Sequence, residues 1–455
     1  MSQSSLKGNL APFCPQVHKR KFTYRDPSPN ELLCNSLCFL AALAIFIAFA
    51  NQYVVKIQTT IAITAGSMLI SALLVLFGKL EWFNLEPLAV ETMESIDFQN
   101  FLLKGILGFL LFVGGLGINL KALRSQKWEI TILAIVATLI STFLIGYGFW
   151  FIAWVLGWDL PIIYCMLFGA LISPTDPIAV LAIVKKMKAP PQIAIQIEGE
   201  SLFNDGVGLV IFATVFAVAF GGVEPTFTSV VGLFMHEALG GILFGAVLGL
   251  VTHVMISATD DGSLELLLTL CIPTAGFAFA NMIGVSGALA MVVTGIMIGN
   301  WTRHSGFSEQ SRHHLDHFWE LMDQFLNALL FLLIGLALVL LDLAWRDWIL
   351  LVIAVPLCLA ARFVSVSLPY MAFRRFRSYN TFSIRILTWG GLRGGLAMAM
   401  ALALPTGKMM LPEQGVDLRE VILIMTYAVV MFSIVVQGMT ITPMITEAKK
   451  ASGSY

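Results

Sequence analysis

Four polar side chains lie close together in apolar sequence: Glu200, Ser201, Asn204 and Asp205. The surrounding run, 193–220, is long enough to cross a bilayer as a helix. On a helix, Ser201 and Asp205 share one face, and Glu200 and Asn204 share the adjoining face. A carboxylate at the centre of a membrane helix costs about 2.5–3.5 kcal/mol, so it usually marks a functional site. Four polar groups on one side of a membrane helix therefore predict a functional site in this run.

The apolar run 160–184 contains two prolines that a membrane helix cannot accommodate without a break. Pro174 and Pro177 flank Thr175 and Asp176, remove two backbone donors and clash with carbonyls one turn earlier. Backbone that is opened at membrane depth is tolerated where it is buried in protein or lines a water-filled cavity. The motif therefore predicts an interrupted span with Thr175 and Asp176 at the break.

A second interrupted span is predicted for the run 382–404, where four glycines surround Arg393. The two interrupted runs are an odd number of spans apart, so they cross the membrane in opposite directions. Such a pair in corresponding halves indicates a transporter with inverted repeats. Where the two breaks cross, Asp176 would compensate the positive N-termini of the half-helices and Arg393 the negative C-termini.

The composition excludes an ordinary soluble protein. Hydrophobic residues make up 58% of the 455 residues and charged residues 12%, whereas a soluble chain is about 25% charged. The net charge of −1 gives no indication of a nucleic-acid partner. No linker or low-complexity stretch divides the apolar part. We therefore predict a polar N-terminal tail at 1–30, one transmembrane domain at 31–446 and a short C-terminal tail at 447–455.

Apolar runs of membrane-spanning length predict an all-α membrane protein with about thirteen transmembrane helices. The predicted spans are 32–50, 57–77, 101–120, 128–156, 160–184, 193–220, 229–256, 264–281, 284–300, 321–341, 348–373, 382–404 and 418–445. Basic residues of the connections concentrate on one side, which carries Lys121, Lys185, Arg303, Arg374 and Lys449. Because basic loops stay inside, the C-terminus is predicted to be cytoplasmic. The basic N-terminal tail would then lie outside, and a count of twelve spans would place it differently.

Three motifs of the sequence are Pro174-Thr175-Asp176-Pro177, Glu198-Gly199-Glu200-Ser201-Leu202-Phe203-Asn204-Asp205-Gly206 and Gly391-Leu392-Arg393-Gly394. Together they resemble the NhaP-type sodium/proton antiporters of the monovalent cation:proton antiporter superfamily, and the resemblance covers nearly the whole chain beyond the N-terminal tail. It implies the NhaA/NhaP-like fold, with dimerisation helices beside a six-helix core, in a homodimer. It also implies exchange of Na⁺, or of Li⁺ or K⁺, for protons across a bacterial inner (plasma) membrane, without a cofactor.

The resemblance also implies roles for individual residues. Asp205 would bind either the proton or the cation, and Asn204 would stabilise the helix beside it. Thr175 and Ser201 would offer oxygen ligands to the alkali cation. Asp176 would act nearby, through water or as the charge that compensates the helix ends.

The resemblance further implies a buried ion pair between Glu200 and Arg362, which lies in the eleventh predicted span. Some relatives carry a glutamate in the third span that reaches the cation, whereas the matching segment here, 111–120, contains no acid. Because asparagine rather than a second aspartate precedes Asp205, one carboxylate would carry the exchanged load. That predicts electroneutral exchange, with the binding site opened alternately to each side of the membrane.

Other readings of the same residues remain open at this stage. Asp176 and Asp205 on consecutive spans could be the catalytic pair of an intramembrane aspartyl protease. A cation channel and an antiporter-fold transporter of another solute are further alternatives. Among His313, His314 and His317, the first and third have the i, i+4 spacing of metal ligands, although a solvated or interfacial amphipathic helix, with or without a pH-sensing role, explains the segment more simply.

Overall fold

Helices make up nearly all of the computed structural model. It describes residues 29–79, 90, 93, 96–187, 191–223, 226–307, 309–341, 347–373, 382–407, 409–411 and 416–451. Nearly all of the predicted N-terminal tail lies outside these residues.

The helices follow the apolar runs of the sequence. They are α1 (Pro29–Tyr53), α2 (Thr59–Lys79), α3 (Phe98–Gly117), α4 (Leu120–Ser125), α5 (Lys127–Val155), α6 (Ile162–Ile172), α7 (Ile178–Lys186), α8 (Pro191–Phe220), α9 (Phe227–Ser257), α10 (Gly262–Met282), α11 (287–305), α12 (Glu309–Leu336), α13 (Asp347–Phe373), α14 (Ser383–Trp389), α15 (Gly395–Leu402) and α16 (418–451). Two short antiparallel strands, β1 (Met409–Leu411) and β2 (Val416–Asp417), connect α15 to α16. The all-α class is confirmed, with this hairpin as a minor addition.

Ten of the described helices are long and apolar enough to cross a membrane, namely α1, α2, α3, α5, α8, α9, α10, α12, α13 and α16. The fifth and twelfth predicted spans are each divided in two, into α6 with α7 and into α14 with α15. The ninth predicted span corresponds to α11, which is not one of these ten helices. The ten helices are confirmed, and a total of thirteen crossings stays a prediction. Helix α16 continues to Ala451, so the tail predicted from 447 begins within its last turn.

Glycines allow the helices that surround the site to pack at backbone distance. A Cβ atom on Gly115 of α3 would lie 2.7 Å from the carbonyl oxygen of Val292 in α11. In α8, a Cβ atom on Gly208 would overlap Pro174 at the break after α6. Small residues at helix crossings are typical of membrane proteins, in which close van der Waals packing drives helix association.

The outward faces of several helices are apolar and exposed, as expected for surfaces that contact lipid. Helix α5 exposes Trp150 and Trp154, and α9 exposes Leu243 and Val247. The buried residues, in contrast, include charged and amide side chains such as those of Glu200, Asn204, Arg362 and Arg393. This distribution is the reverse of that in a soluble protein and directs attention to the polar interior.

Candidate functional site

The two helix breaks contact each other at the centre of the site. Residues 173–177 separate α6 from α7, and residues 390–394 separate α14 from α15. The backbone N–H of Asp176 donates to the carbonyl of Leu392 at 2.9 Å, in an antiparallel bridge between the two extended segments. Each break thus satisfies backbone groups that the other leaves open, which is the condition for irregular backbone inside a membrane.

Asp176 lies between the N-termini of two half-helices. Its Oδ1 accepts from the backbone N–H of Ile178, the first residue of α7, at 2.9 Å. Its carboxylate also contacts Gly394, directly before α15, so closely that a Cβ atom there would collide with it. A negative charge at the positive ends of two helices is electrostatically favourable. Compensation of these helix ends by Asp176 stays a prediction from the sequence.

Asn204 of α8 forms hydrogen bonds with the first break. Its Oδ1 accepts from the backbone N–H of Thr175 at 3.2 Å, and its Nδ2 donates to Thr175 Oγ1 at 2.8 Å. The hydroxyl groups of Thr175 and Ser201 are 3.1 Å apart. All three side chains are at most 3% exposed. Asn204 therefore holds the opened backbone in place and orients the Thr175 hydroxyl towards Ser201.

Asp205 and Asp176 face a cavity with a volume of about 750 Å³. The wall of this cavity includes Lys185, Glu198 and Arg303, at helix ends that belong to the predicted cytoplasmic side. The two aspartates are also close enough to interact electrostatically. The sequence brings five candidate residues together, and the structure divides them into two groups. The two carboxylates face the cavity, while Thr175, Ser201 and Asn204 form the buried network behind it.

The Glu200 carboxylate is at ion-pair distance from a guanidinium of α13. Glu200 Oε1 lies 2.6 Å from Arg362 Nη1, and the two side chains are 1% and 4% exposed. Arg362 Nε and Nη2 also donate to the carbonyl of Leu387 at 3.3 and 3.2 Å, within the last turn of α14. Arg362 therefore links α8 to the C-terminus of a half-helix, a second role that the sequence does not indicate.

The C-terminus of α14 receives donors from three elements. Besides Arg362, Gln437 of α16 donates to the carbonyl of Trp389 at 3.0 Å, and Arg393 Nη1 donates to that of Gly391 at 3.3 Å. Arg393 is 2% exposed and lies within electrostatic range of Glu200. The predicted compensation of a C-terminus by Arg393 is thus one part of a wider arrangement, because Arg362 and Gln437 come from distant spans.

Helix α12 supplies polar residues to the cavity that sequence reasoning missed. Asp316, Glu320, Asp323 and Asn327 recur at helical spacing on one face of α12, and all four line the cavity. Asp316 pairs with Arg303 at 2.5 Å. An available signal was the presence of Asp323 and Asn327, at i and i+4, inside the apolar run 321–341.

The histidine segment lies at the beginning of the same helix. His313, His314 and His317 are exposed, and the rings of His313 and His314 are 6.4 Å apart. Across the part of the chain that the structure describes, no group of three or more His, Cys, Asp or Glu side chains could hold a metal ion. The geometry of this segment therefore shows an exposed helical surface.

Comparison with known proteins gives concordant results. The family model for the transmembrane domain of sodium/hydrogen exchangers matches residues 83–447. The chain is 42% identical to the Na⁺/H⁺ antiporter NhaP of Pseudomonas aeruginosa over 408 residues, or 89% of this chain and 94% of that protein. It is 34% identical to the Na⁺/H⁺ antiporter NhaH of Halobacillus aidingensis, over 77% of this chain and 84% of that protein.

Among solved structures, the fold is similar to that of the sodium proton antiporter MjNhaP1 from Methanocaldococcus jannaschii. The TM-score is 0.71, and the match covers 92% of this chain and 99% of that chain at 17% sequence identity. The family model and the two relatives cover most of the sequence, including the helices that carry the two breaks. The chain therefore belongs to the sodium/hydrogen exchanger family.

Proposed function

We propose that this protein exchanges a monovalent cation for a proton across the membrane, with Asp205 binding either one. The observation that carries the proposal is the position of Asp205 beside two crossed helix breaks, on the wall of a cavity that extends towards one side. Na⁺ is the first candidate, because relatives that are 42% and 34% identical to this chain over the aligned residues are named Na⁺/H⁺ antiporters. Li⁺ and K⁺ are the alternatives.

The protein's own residues support a competition at one carboxylate. An alkali cation needs several oxygen ligands. Asp205 lies one helical turn after Ser201, and the Ser201 hydroxyl is hydrogen-bonded to that of Thr175. We assign these three residues to the cation and Asn204 to holding Thr175 in place. Asp176 remains committed to the helix N-termini through its hydrogen bond to Ile178. When Asp205 is protonated, the cation loses its charged ligand, so the two loads exclude each other.

The shape of the cavity supports alternating access. It reaches the helix ends that carry Lys185 and Arg303, which the distribution of basic residues assigns to the cytoplasm. We therefore propose that the structure corresponds to an inward-open state with a cytoplasmic C-terminus. The half-helices around the breaks would rock against the other helices and expose Asp205 to the opposite side. The family resemblance supports a homodimer in a bacterial inner membrane.

Membership of an exchanger family leaves little support for the alternative functions. An aspartyl protease would need Asp176 and Asp205 to share a proton around a substrate peptide. Asp176 instead accepts from the backbone N–H of Ile178 and lies against Gly394 at the start of α15. A channel would need a path through the membrane, whereas the centre of this fold is filled by the buried network of Thr175, Ser201 and Asn204.

The proposal predicts electroneutral exchange. If Asp205 alone binds the transported ions, one proton leaves for each cation that enters. No net charge then crosses the membrane, so membrane potential should not affect transport. The measurement is cation-dependent dequenching of a pH dye in proteoliposomes, first scanned over Na⁺, Li⁺ and K⁺. Once K⁺ proves not to be a substrate, a valinomycin-imposed K⁺ potential is applied. A net charge moving through 100 mV would involve about 2.3 kcal/mol.

We expect the rate and the end-point of exchange to be the same at every imposed potential. Proteoliposomes with a known electrogenic transporter serve as the control that the potential is established. An end-point that follows the potential would show that a second charge moves with the cation, which would contradict the single-carboxylate scheme. Absence of cation-dependent proton flux with all three cations would contradict the proposed function itself.

A further inference from the structure

We propose that Asp323 and Asn327 of α12 form a second monovalent cation site in the cavity, distinct from Asp205, at which the cation is held before it reaches Asp205. The inference rests on the proposed function, because it concerns the same cavity and the same ions. It is carried by three features: the hydrogen bonding of Asn327, the distribution of charges along the cavity and the composition of the facing wall.

Asn327 presents an oxygen without a donor. Its Nδ2 donates to Asp323 Oδ1 at 2.9 Å, which fixes the plane of the carboxamide and directs its oxygen away from that contact. Asn327 lines the cavity and is 3% exposed, and no hydrogen-bond donor among the described residues reaches its Oδ1. A buried acceptor that is left unpaired is unfavourable. A cation bound to Asp323 would supply the missing partner.

Asp323 has no ion-pair partner among the described residues, although Lys185 is close enough for the two charges to interact. Near the mouth, Lys185 pairs with Glu198 at 3.2 Å and Arg303 pairs with Asp316 at 2.5 Å. Both basic side chains of this wall are thereby committed to other carboxylates. No Lys, Arg or His among the described residues forms an ion pair with Asp323. Its carboxylate is therefore available to a mobile cation.

Position along α12 places this site on the route to Asp205. Glu320 is exposed, Asp323 is half-buried and Asn327 is buried, so the cavity deepens along the helix. Asp323 is also close enough to Asp176, at the helix break, for their charges to interact. A cation at Asp323 would thus lie between the mouth and the crossed breaks that adjoin Asp205.

The facing wall offers no competing carboxylate. Helix α3 contributes only apolar side chains and glycines to the cavity, among them Leu111, Val113, Gly114 and Gly117. Carboxylate and carboxamide oxygens suit alkali cations, whereas these residues offer no side-chain ligand. The acid that α3 lacks is compensated, in this chain, by Asp323 on α12.

Binding to a variant that lacks Asp205 tests the second site directly. We would measure Na⁺ binding by isothermal titration calorimetry, and Na⁺-dependent thermal stabilisation, on three purified proteins at alkaline pH. These are Asp205→Asn, Asp205→Asn with Asp323→Asn, and Asp205→Asn with Glu320→Gln, a matched control one turn nearer the mouth. The site predicts saturable Na⁺ binding to the first and third proteins and its loss from the second. Absence of binding to Asp205→Asn alone, or unchanged binding after Asp323→Asn, would overturn the proposal.

Transport by otherwise unaltered protein provides an independent readout. Asp323→Asn, and Asn327→Leu, which keeps the branching of the side chain but removes its polar atoms, should raise the KM for Na⁺ at the cytoplasmic side by about tenfold, the usual worth of one charge-assisted contact. The maximal rate should stay close to that of the original protein, because Asp205 is intact. Glu320→Gln, which removes a charge that acts on Asp323 only at a distance, should raise KM far less than Asp323→Asn or Asn327→Leu. An unchanged KM in both α12 variants, with normal elution on size exclusion, would mean that the pair only stabilises the helix.

Failure of this inference is distinguishable from failure of the proposed function. If exchange proceeds normally while the Asp205→Asn protein binds no Na⁺, the second site is wrong and the function stands. If no cation drives proton flux while Na⁺ still binds through Asp323, the site stands and the exchange mechanism is wrong.

Discussion

Replacing Asp205 by asparagine is expected to abolish cation–proton exchange and to leave the protein folded and inserted. Asparagine matches the shape of aspartate but neither carries the negative charge nor takes up a proton, so neither load can be exchanged. Asp205 is half-buried on the cavity wall. A charged side chain is energetically costly at membrane depth, so we expect this position to tolerate a neutral one. Exchange by the purified variant, measured with a pH dye in proteoliposomes, should fall to the level of empty liposomes.

Asp261→Asn provides a matched control for the same chemical change. Asp261 caps α10, where its Oδ1 accepts from the backbone N–H of Ser263 at 2.9 Å, and asparagine caps helices equally well. This variant should retain full exchange and the same elution profile. Substantial Na⁺-driven proton flux from folded Asp205→Asn protein would show that another group carries the load.

Loss of Glu200 or Arg362 should destabilise the protein strongly, by about 3–5 kcal/mol for a single change that leaves a buried charge unpaired. Glu200→Gln should be the more damaging change. It leaves Arg362 without its carboxylate, and Arg393, which is close enough to both residues for their charges to interact, loses the same counter-charge. The double variant Glu200→Gln with Arg362→Met should cost less than the sum of the two single changes. The measurement is the free energy of unfolding of all four proteins in mixed micelles.

The ion pair Lys185–Glu198 serves as the internal reference for this comparison of single and double variants. It lies on α7 and α8, its atoms are 3.2 Å apart, and its side chains are 60% and 27% exposed. Pairs exposed to solvent are typically coupled by about 0.2–1 kcal/mol. A coupling energy at Glu200–Arg362 no larger than that of this pair would contradict the assignment of a buried ion pair that supports the fold.

Local sequence chemistry predicts the helices and the two breaks well, for identifiable reasons. Bilayer thickness fixes the length of each apolar run. Pro174 and Pro177 have no backbone N–H, so carbonyl groups one turn earlier lose the donors that a continuous helix would supply. The opposite directions of the two interrupted spans predict that their breaks cross, and the bridge between Asp176 and Leu392 agrees with that prediction.

Long-range partners are what the sequence alone cannot assign. Gln437 reaches the C-terminus of α14 from another span, and Arg362 bonds there in addition to Glu200. Helix periodicity groups Asp323 with Asn327 but does not show which neighbouring helix their face meets. The division between carboxylates on the cavity wall and hydroxyls behind it depends on the rotation of α8. No local pattern encodes that rotation.

The measurement that tests the central claim most directly is proton release when Na⁺ binds. Purified protein in weakly buffered detergent solution would be mixed with NaCl, or with choline chloride as the control for ionic strength, in the presence of a pH indicator. Because cation and proton compete for Asp205, NaCl should release up to about one proton per protein molecule, and the Asp205→Asn variant should release none. Na⁺ binding without proton release, or equal release from the variant, would contradict exchange at this carboxylate.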